Sequence, residues 1–377
     1  MKVCYVLPYY EPYKGGLETL FKNLAERMTK LKLETIVITS LLKDTKKYEE
    51  INGVKVYRIK IPMKFRRFWF VLFSLPYILI HAKNSDIIHT TTFAEAFPSF
   101  LASKILKKPC IITVHEVFSE DYKNIFGFNA LKSSLYKFFE KIIISLQFDK
   151  YICVSNFTRN RLIKIFNIPK NKVKTIYNAI DYSFFNPRKY NKNLIRKKYN
   201  LKDKFVYISW GRPGISKGTE YLIRAVPSIS EKIPNSKLIL ILGKDPKYRY
   251  NYILNLIKKL GIENNIILLD TVPQKELPKY IVASDCAVIP SLTEGFGYNV
   301  VESCALNVPI VATEVGSIPE VISRRFVLIK PKSPSDIVKG CELIYNKKII
   351  SKKFKRFEWK NTITEYENMY KEVLGNI

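Results

Sequence analysis

The stretch E-G-F-G-Y-N-V-V-E, Glu294–Glu302, sets two carboxylates eight positions apart around a Gly-Phe-Gly turn. It is entered from D-C-A-V-I-P, Asp285–Pro290, a short apolar run closed by proline that reads as a buried strand. Gly295 and Gly297 open backbone conformations that a side chain forbids and let a ligand approach the main chain. From Tyr298 the spacing is helical, with Val300, Val301, Cys304 and Ala305 available for one buried face. Asn307 suits a left-handed helix end, and V-P-I-V-A-T is the next strand. Strand, glycine turn, helix and strand form the repeating unit of a doubly wound α/β sheet. In such sheets ligands sit outside the carboxyl ends of the strands, where helix N-termini favour anions. If the interval were helical throughout, the two glutamates would stand roughly 12 Å apart, the length of a diphosphate with a sugar ring at each end. Their spacing is equally that of two ordinary residues in the first turns of a helix.

The same alternation fills most of the 377 residues, a length that favours two domains. In the first half V-C-Y-V-L, T-I-V-I-T, V-K-V-Y-R-I, D-I-I-H, C-I-I-T-V-H and K-Y-I-C-V-S alternate with helical stretches, which predicts a parallel, helix-covered sheet. From Asp181 to about Lys204 the chain turns polar and irregular, as a linker would. A second set follows: F-V-Y-I-S-W, K-L-I-L-I-L-G, N-I-I-L-L, D-C-A-V-I-P and P-I-V-A-T. The expected architecture is α/β, with two Rossmann-like doubly wound domains facing a cleft, a usual place for a ligand. Domains are expected at 1–185 and 186–350, with a C-terminal helix in 351–377.

Composition narrows the partners. Hydrophobic residues make up 47 % of the chain, enough for large cores, and the formal net charge is +30. Such a charge attracts phosphates, whether of nucleotides, lipid headgroups or nucleic acid. No block of six consecutive basic residues marks a nucleic-acid tail, and no nucleic-acid partner is expected. The six cysteines occur singly without a CxxC pair and read as small buried hydrophobes of a reducing compartment. His81, His89 and His115 are dispersed, so a zinc site is not expected. The opening K-V-C-Y-V-L-P is a strand pattern, which predicts no signal peptide. Phe68–Ile80, F-W-F-V-L-F-S-L-P-Y-I-L-I, is interrupted by Pro76 and falls short of the about 20 residues a bilayer span needs. It reads as a core helix or as one lying in a membrane interface, with Lys64, Arg66 and Arg67 facing lipid phosphates. Leu131–Ile144 alternates bases with apolar and aromatic residues and poses the same choice.

Two further loops follow first strands. Y-K-G-G-L-E, Tyr13–Glu18, puts Gly15 and Gly16 at a strand-to-helix turn, where backbone amides serve an anion or simply make a tight turn. It is not a G-x-G-x-x-G fingerprint, which disfavours a dinucleotide cofactor. W-G-R-P-G-I-S-K-G, Trp210–Gly218, carries Arg212 and Lys217 out of a glycine-rich turn, as a clamp on a diphosphate or as solvated charges.

Taken in order, G-G-L-E, T-V-H-E at 113–116, Y-N-A-I-D-Y-S-F-F-N-P at 177–187, G-R and K-G at 211–218, E-G-F-G-Y-N-V-V-E and E-V-G-S-I-P-E at 314–320 resemble the retaining glycosyltransferases of family four, on the GT-B fold. The resemblance covers nearly the whole chain. It implies a metal-independent, hexosyltransferase-type enzyme whose donor is a nucleotide-diphosphate sugar, a substrate and not a bound cofactor. It implies that Glu294 contacts the donor sugar and Glu302 the ribose hydroxyls. Gly295, Phe296 and Gly297 offer backbone amides to sugar and phosphates, and Arg212 and Lys217 neutralise the departing diphosphate. Gly16 matches a glycine packed on the diphosphate, and His115 a histidine near the donor sugar. The first domain of the family binds the acceptor, a glycan or a lipid-linked one. With the basic, aromatic stretches this implies a cytoplasmic enzyme peripheral to an anionic membrane surface. Three positions depart from the family pattern: Asn307 and Ala179 stand where glycines are usual, and Asp245 replaces the second glycine of a G-x-G loop, which puts nucleotide-edge contacts there in question. A nucleotide-sugar epimerase on the same fold, or a non-catalytic basic protein binding RNA or membranes, are the competing classes.

Overall fold

The first apolar run, K-V-C-Y-V, is β1 (Lys2–Val6), buried on both faces as a central parallel strand must be. It belongs to one of two units of a computed structural model that describes residues 1–13, 15–62 and 64–375. Unit 1 is Met1–Ala179 together with the segment that begins at Trp359; unit 2 is Ile180–Glu358.

Unit 1 adds β2 (Glu34–Ser40), β3 (Tyr48–Ile51), β4 (Val54–Ile59), β5 (Ile87–Thr91), β6 (Cys110–Val114), β7 (Lys150–Cys153) and β8 (Val173–Thr175). The sheet order is β3-β4-β2-β1-β5-β6-β7-β8, parallel except for β3, which pairs antiparallel with β4 at the edge. Asn52 and Gly53, both at positive φ, close that hairpin, as an Asn-Gly turn favours. From β1 the chain runs outward to β2 on one side and later to β5 on the other, so the loops after β1 and β5 diverge and leave a crevice. The helices are α1 (Gly16–Lys30), α2 (Arg66–His81), α3 (Ala96–Leu106), α4 (Asp121–Asn124), α5 (Ala130–Ile144) and α6 (Asn156–Phe166). Alternation along β1 sends Cys4 and Val6 into a core shared with Phe70 and Ile78 of α2 and Ala102 of α3. Tyr5 points to the other face, against Phe21 of α1. The C-terminal helix, Trp359–Val373, is fixed to that face: Tyr370 Oη lies 3.2 Å from Tyr5 Oη and 2.7 Å from His89 Nδ1. Burial holds His89 neutral, its pKa pushed down to about 3.

The two basic, aromatic stretches form α2 and α5, and neither is wholly core. On α2 only one stripe, through Phe70, Ser74 and Ile78, is buried, while Phe68, Leu72, Phe73 and Ile80 face outward. Arg66 corrects the expectation of a lipid-facing cation, because it is buried with its guanidinium over the Tyr9 ring; Lys64 and Arg67 stay exposed. α5 inverts the usual pattern. Its inward stripe holds Ser133 and Glu140, and Glu140 accepts from Phe118 N and Ser119 Oγ. Leu131, Leu135, Phe138 and Phe139 are exposed beside Lys132, Lys137 and Lys141. Among the described residues no helix is long and apolar enough to cross a membrane.

Unit 2 opens with α7 (Lys192–Lys198), so the segment read as an irregular linker is ordered. Ile195 is buried, and Arg196 donates to Asp285 and to the carbonyls of Ala283 and Leu201. These partners make the polar stretch part of the unit. Then come β9 (Phe205–Gly211), α8 (Thr219–Lys232), β10 (Ser236–Leu242), α9 (Lys247–Lys259), β11 (Ile266–Leu269) and α10 (Leu277–Ala283). β12 (Cys286–Ile289), α11 (Tyr298–Ala305), β13 (Ile310–Thr313), α12 (Ile318–Val321), β14 (Arg324–Ile329), α13 (Pro334–Tyr345) and β15 (Ile350–Lys352) complete it. The order β11-β10-β9-β12-β13-β14-β15 is parallel apart from β15, and the direction of winding reverses between β9 and β12. All six cysteines are reduced and buried.

Candidate functional site

The reversal between β9 and β12 sets the loops after these two strands side by side, and both carry the charged residues singled out above. After β9 the chain passes Arg212 and makes a single 3₁₀ turn, Ile215–Lys217, before α8. Gly218, at φ +60°, joins the two helices, and a Cβ there would fall 2.0 Å from the Pro290 carbonyl oxygen of the neighbouring loop. Only glycine permits that approach. Leu292 N donates to Ser216 O across the same contact, locking the loops together.

Glu294 lies in the second loop with 7 % of its surface exposed. Lys217 Nζ donates to its Oε1 at 2.6 Å, and Ser291 Oγ donates to the same oxygen at 2.8 Å. Its main chain is gripped as well: Ser317 N donates to Glu294 O at 3.0 Å, and Ser317 Oγ to the same oxygen at 3.2 Å. Gly316, at φ +57°, has no room for a side chain, since a Cβ would sit 2.3 Å from Glu294 O. The E-V-G-S-I-P-E motif thus serves to hold Glu294. Gly297 caps α11 at φ +82°, and Asn307 follows that helix at φ +59°.

Glu302 sits on α11, where Trp210 Nε1 donates to its Oε2 at 3.2 Å. Burial pushes its carboxyl up to about 7, and the Trp210 hydrogen bond and the Lys217 charge oppose the rise. Asn299 Nδ2 donates to Trp210 O, which ties the start of α11 to the end of β9. Trp210, Arg212, Lys217, Ser291 and Asn299 line a small recess at the carboxyl ends of β9, β10 and β12. A buried carboxylate with an ammonium, a second cation beside it and a helix start beyond can bind the phosphates and hydroxyls of a nucleotide sugar.

Gly16 and His115 belong to unit 1. Gly16 begins α1, and Phe21, one turn on, lies with its ring 6.3 Å from that of His115. His115 follows β6; its Nε2 is buried without a hydrogen-bond partner among the described residues, and burial lowers its pKa to about 4. Phe296 is buried on Phe357, a packing role for its side chain. Sequence reasoning missed Trp210, Ser291 and Asn299 as supports. Trp210 lies within a quoted motif and Ser291 just after one; their partners stand 92 and 3 residues away, and only the former needed the fold to find. Among the described residues no three His, Cys, Asp or Glu side chains converge as a metal-ion site.

The comparisons with known proteins fit this geometry. The model of the glycosyl transferases group 1 matches residues 191–360, and that of glycosyltransferase family 4 matches 14–184. An uncharacterised glycosyltransferase of Methanocaldococcus jannaschii is 29 % identical over the full length of both chains. The GPI3 subunit of phosphatidylinositol N-acetylglucosaminyltransferase from Saccharomyces cerevisiae is 26 % identical over 96 % of this chain and 81 % of its own. Among solved structures, sucrose-phosphate synthase of Thermosynechococcus elongatus superposes with a TM-score of 0.80 at 17 % identity over 100 % of both chains. HepE of Anabaena in complex with UDP-glucose gives 0.73 at 17 % identity, again over 100 % of both. Two parallel α/β sheets, both family models and these neighbours agree: the chain is a GT-B glycosyltransferase of the group 1 and family 4 lineage.

Proposed function

We propose that the protein transfers a hexose-type sugar, with retention of anomeric configuration, from a nucleotide-diphosphate sugar to a hydroxyl of a lipid-linked or membrane-proximal glycan acceptor. The observation that carries this reading is the grip on Glu294: a nearly buried carboxylate held by Lys217 and Ser291 and pinned through its main chain by Ser317. So much support for one side chain suits a group that must meet a sugar ring in a single pose. Glu302 accepts from the ribose hydroxyls. When the donor arrives, Lys217 turns from Glu294 to share the diphosphate with Arg212, and the amides of Gly295–Gly297 meet sugar and phosphate. The anomeric bond to the diphosphate breaks while a bond to the acceptor oxygen forms on the same face. Two cations and the start of α11 supply the positive charge, so no divalent ion is required.

The acceptor reading rests on α2 and α5, whose outward faces mix Phe and Leu with Arg67 on α2 and with Lys132, Lys137 and Lys141 on α5. Lys64, Arg67, Lys132, Lys137 and Lys141 attract an anionic leaflet, at about 1 kcal/mol for each well-placed cation. The exposed aromatics then insert shallowly. The yeast relative's name, which contains phosphatidylinositol, fits a lipid acceptor for this chain also.

The test is nucleotide release from UDP-glucose and UDP-N-acetylglucosamine, with and without acceptor vesicles, in the presence of EDTA. Acceptor-stimulated, EDTA-resistant release is expected. Isomerised sugar without release points to an epimerase, and neither outcome to a binding protein. Co-sedimentation should need anionic lipid and weaken with salt; vesicles left unbound at low salt would return the acceptor to the aqueous phase.

A further inference from the structure

Unit 1 has its own reversal of winding, between β1 and β5, and the loops after these strands are the place where a doubly wound sheet binds a ligand. One residue there has no assigned role. Glu95 precedes α3 at the end of the loop after β5, with 1 % of its surface exposed. Its Oε1 has no hydrogen-bond partner among the described residues. The charges acting on it come from Arg67 at the start of α2 and Glu18 in the first turn of α1, so the carboxyl sits where three helices begin. Glu18 is itself buried.

A buried carboxyl without a full set of partners is costly, about 1–3 kcal/mol for the unmade hydrogen bond alone. Leu or Met at this buried position would have removed the cost. Sites that keep such a group do so where a ligand completes it, and a carboxyl oxygen asks for a donor. Arg67 is exposed and already within the same field, so the missing donor is one that a ligand brings.

We infer that Glu95 is an acceptor-binding residue: its free oxygen receives a hydroxyl of the acceptor's polyol or sugar head group in the crevice between β1 and β5, with Glu18 beside it. This rests on the transfer reaction proposed above. It adds to that reading a residue, a class of ligand group and a location for the acceptor within unit 1.

Glu95→Leu separates this role from a structural one. The variant replaces an under-bonded polar group with an apolar one of similar size, so its melting temperature should equal or exceed the wild type's. Hydrolysis of UDP-glucose or UDP-N-acetylglucosamine by water should stay within about twofold, because no acceptor is involved. Transfer to short-chain phosphatidylinositol should fall by about 30-fold, the loss of one well-made hydrogen bond to a substrate hydroxyl. Glu95→Gln, which keeps an acceptor oxygen in place, should recover most of it. Wild-type transfer rates in Glu95→Leu would overturn the assignment. So would a lowered melting temperature with hydrolysis and transfer lost together, which marks a residue of the fold. A wild type that hydrolyses the donor yet neither binds nor glycosylates the phosphatidylinositol probe overturns the polyol head group while leaving the donor reading intact. A wild type that binds no nucleotide sugar brings down both.

Discussion

Each unit puts a carboxylate in the crevice where its strand order reverses, and the two are treated in opposite ways. Glu294 in unit 2 has a lysine, a serine and a pinned main chain around it before any ligand arrives. Glu95 in unit 1 is more deeply buried, and one of its oxygens has nothing. Burial pushes the Glu95 carboxyl up to about 8, and a hydrogen bond to its own backbone and the Arg67 charge only partly oppose the rise. The contrast separates a site organised in advance for an anionic donor from one waiting for hydrogen-bond donors. Preorganised charge is what a departing diphosphate needs, and an under-bonded group is what selects a neutral hydroxyl.

The largest effect should come from dismantling the charged side of this contrast. Arg212→Ala and Lys217→Ala should each cut kcat by about 10²-fold or more, by analogy with the loss of one preorganised donor. Glu294→Ala should lower turnover far more than affinity for the free nucleotide, whereas Glu302→Ala should weaken the nucleotide itself. Steady-state kinetics beside calorimetric binding of UDP separates these outcomes; full activity in the Arg212, Lys217 double variant would end the assignment.

The uncharged side is sharpened by pH. Glu95 has a folded pKa of about 8 against an ordinary value of 4.5. A raised acid favours the folded state while protonated in both states, and that advantage is lost as pH climbs from the ordinary value to the folded one. Wild type should therefore lose stability relative to Glu95→Gln by about 1.4 kcal/mol per pH unit across that window. Denaturation at pH 5 and pH 7.5 reads the difference; parallel curves would mean that Glu95 is not buried as a neutral acid.

A smaller pH effect belongs to Glu302, whose carboxyl is raised to about 7 by burial. Accepting from two ribose hydroxyls calls for the ionised form. Affinity for UDP-glucose should thus strengthen with pH by up to about tenfold per unit and level off above 7. The slope should vanish in Glu302→Gln. Smallest of the set is Gly316→Ala, which places a methyl against the Glu294 main chain at a left-handed position; about 1–3 kcal/mol of strain is expected, with kcat falling alongside.

How much of this was legible in the sequence follows the range of the interactions. The strand, turn and helix around Glu294 depend on neighbours within a few residues, and Gly297 and Asn307 adopt the left-handed backbone their residue types favour. The two-sheet class follows from alternation, which is also local. The ordered α7 was hidden because its stability comes from Arg196 meeting Asp285, 89 residues on. The Lys217–Glu294 bond spans 77 positions, so motif spacing gave both residues but not their pairing. Glu95 lies in F-A-E-A-F, which has no signature; its burial arises only when three helix starts converge. The inward Arg66 was misjudged for the same reason, since the Tyr9 ring that receives it lies in another loop.

The C-terminal helix has a consequence for how the protein comes into being. Unit 1 is built from two pieces of chain with all of unit 2 between them, and Tyr366 and Tyr370 fill the sheet face from the later piece. During synthesis unit 2 is contiguous and can complete its core as soon as its last strand emerges. Unit 1, though translated first, must wait with His89 and Tyr5 covered only by Phe21 of α1 until the closing helix brings Tyr370. The order of emergence from the ribosome is therefore the reverse of the order of completion, and the nascent chain holds an open apolar face on the very unit whose outer helices are already rich in exposed Phe and Leu.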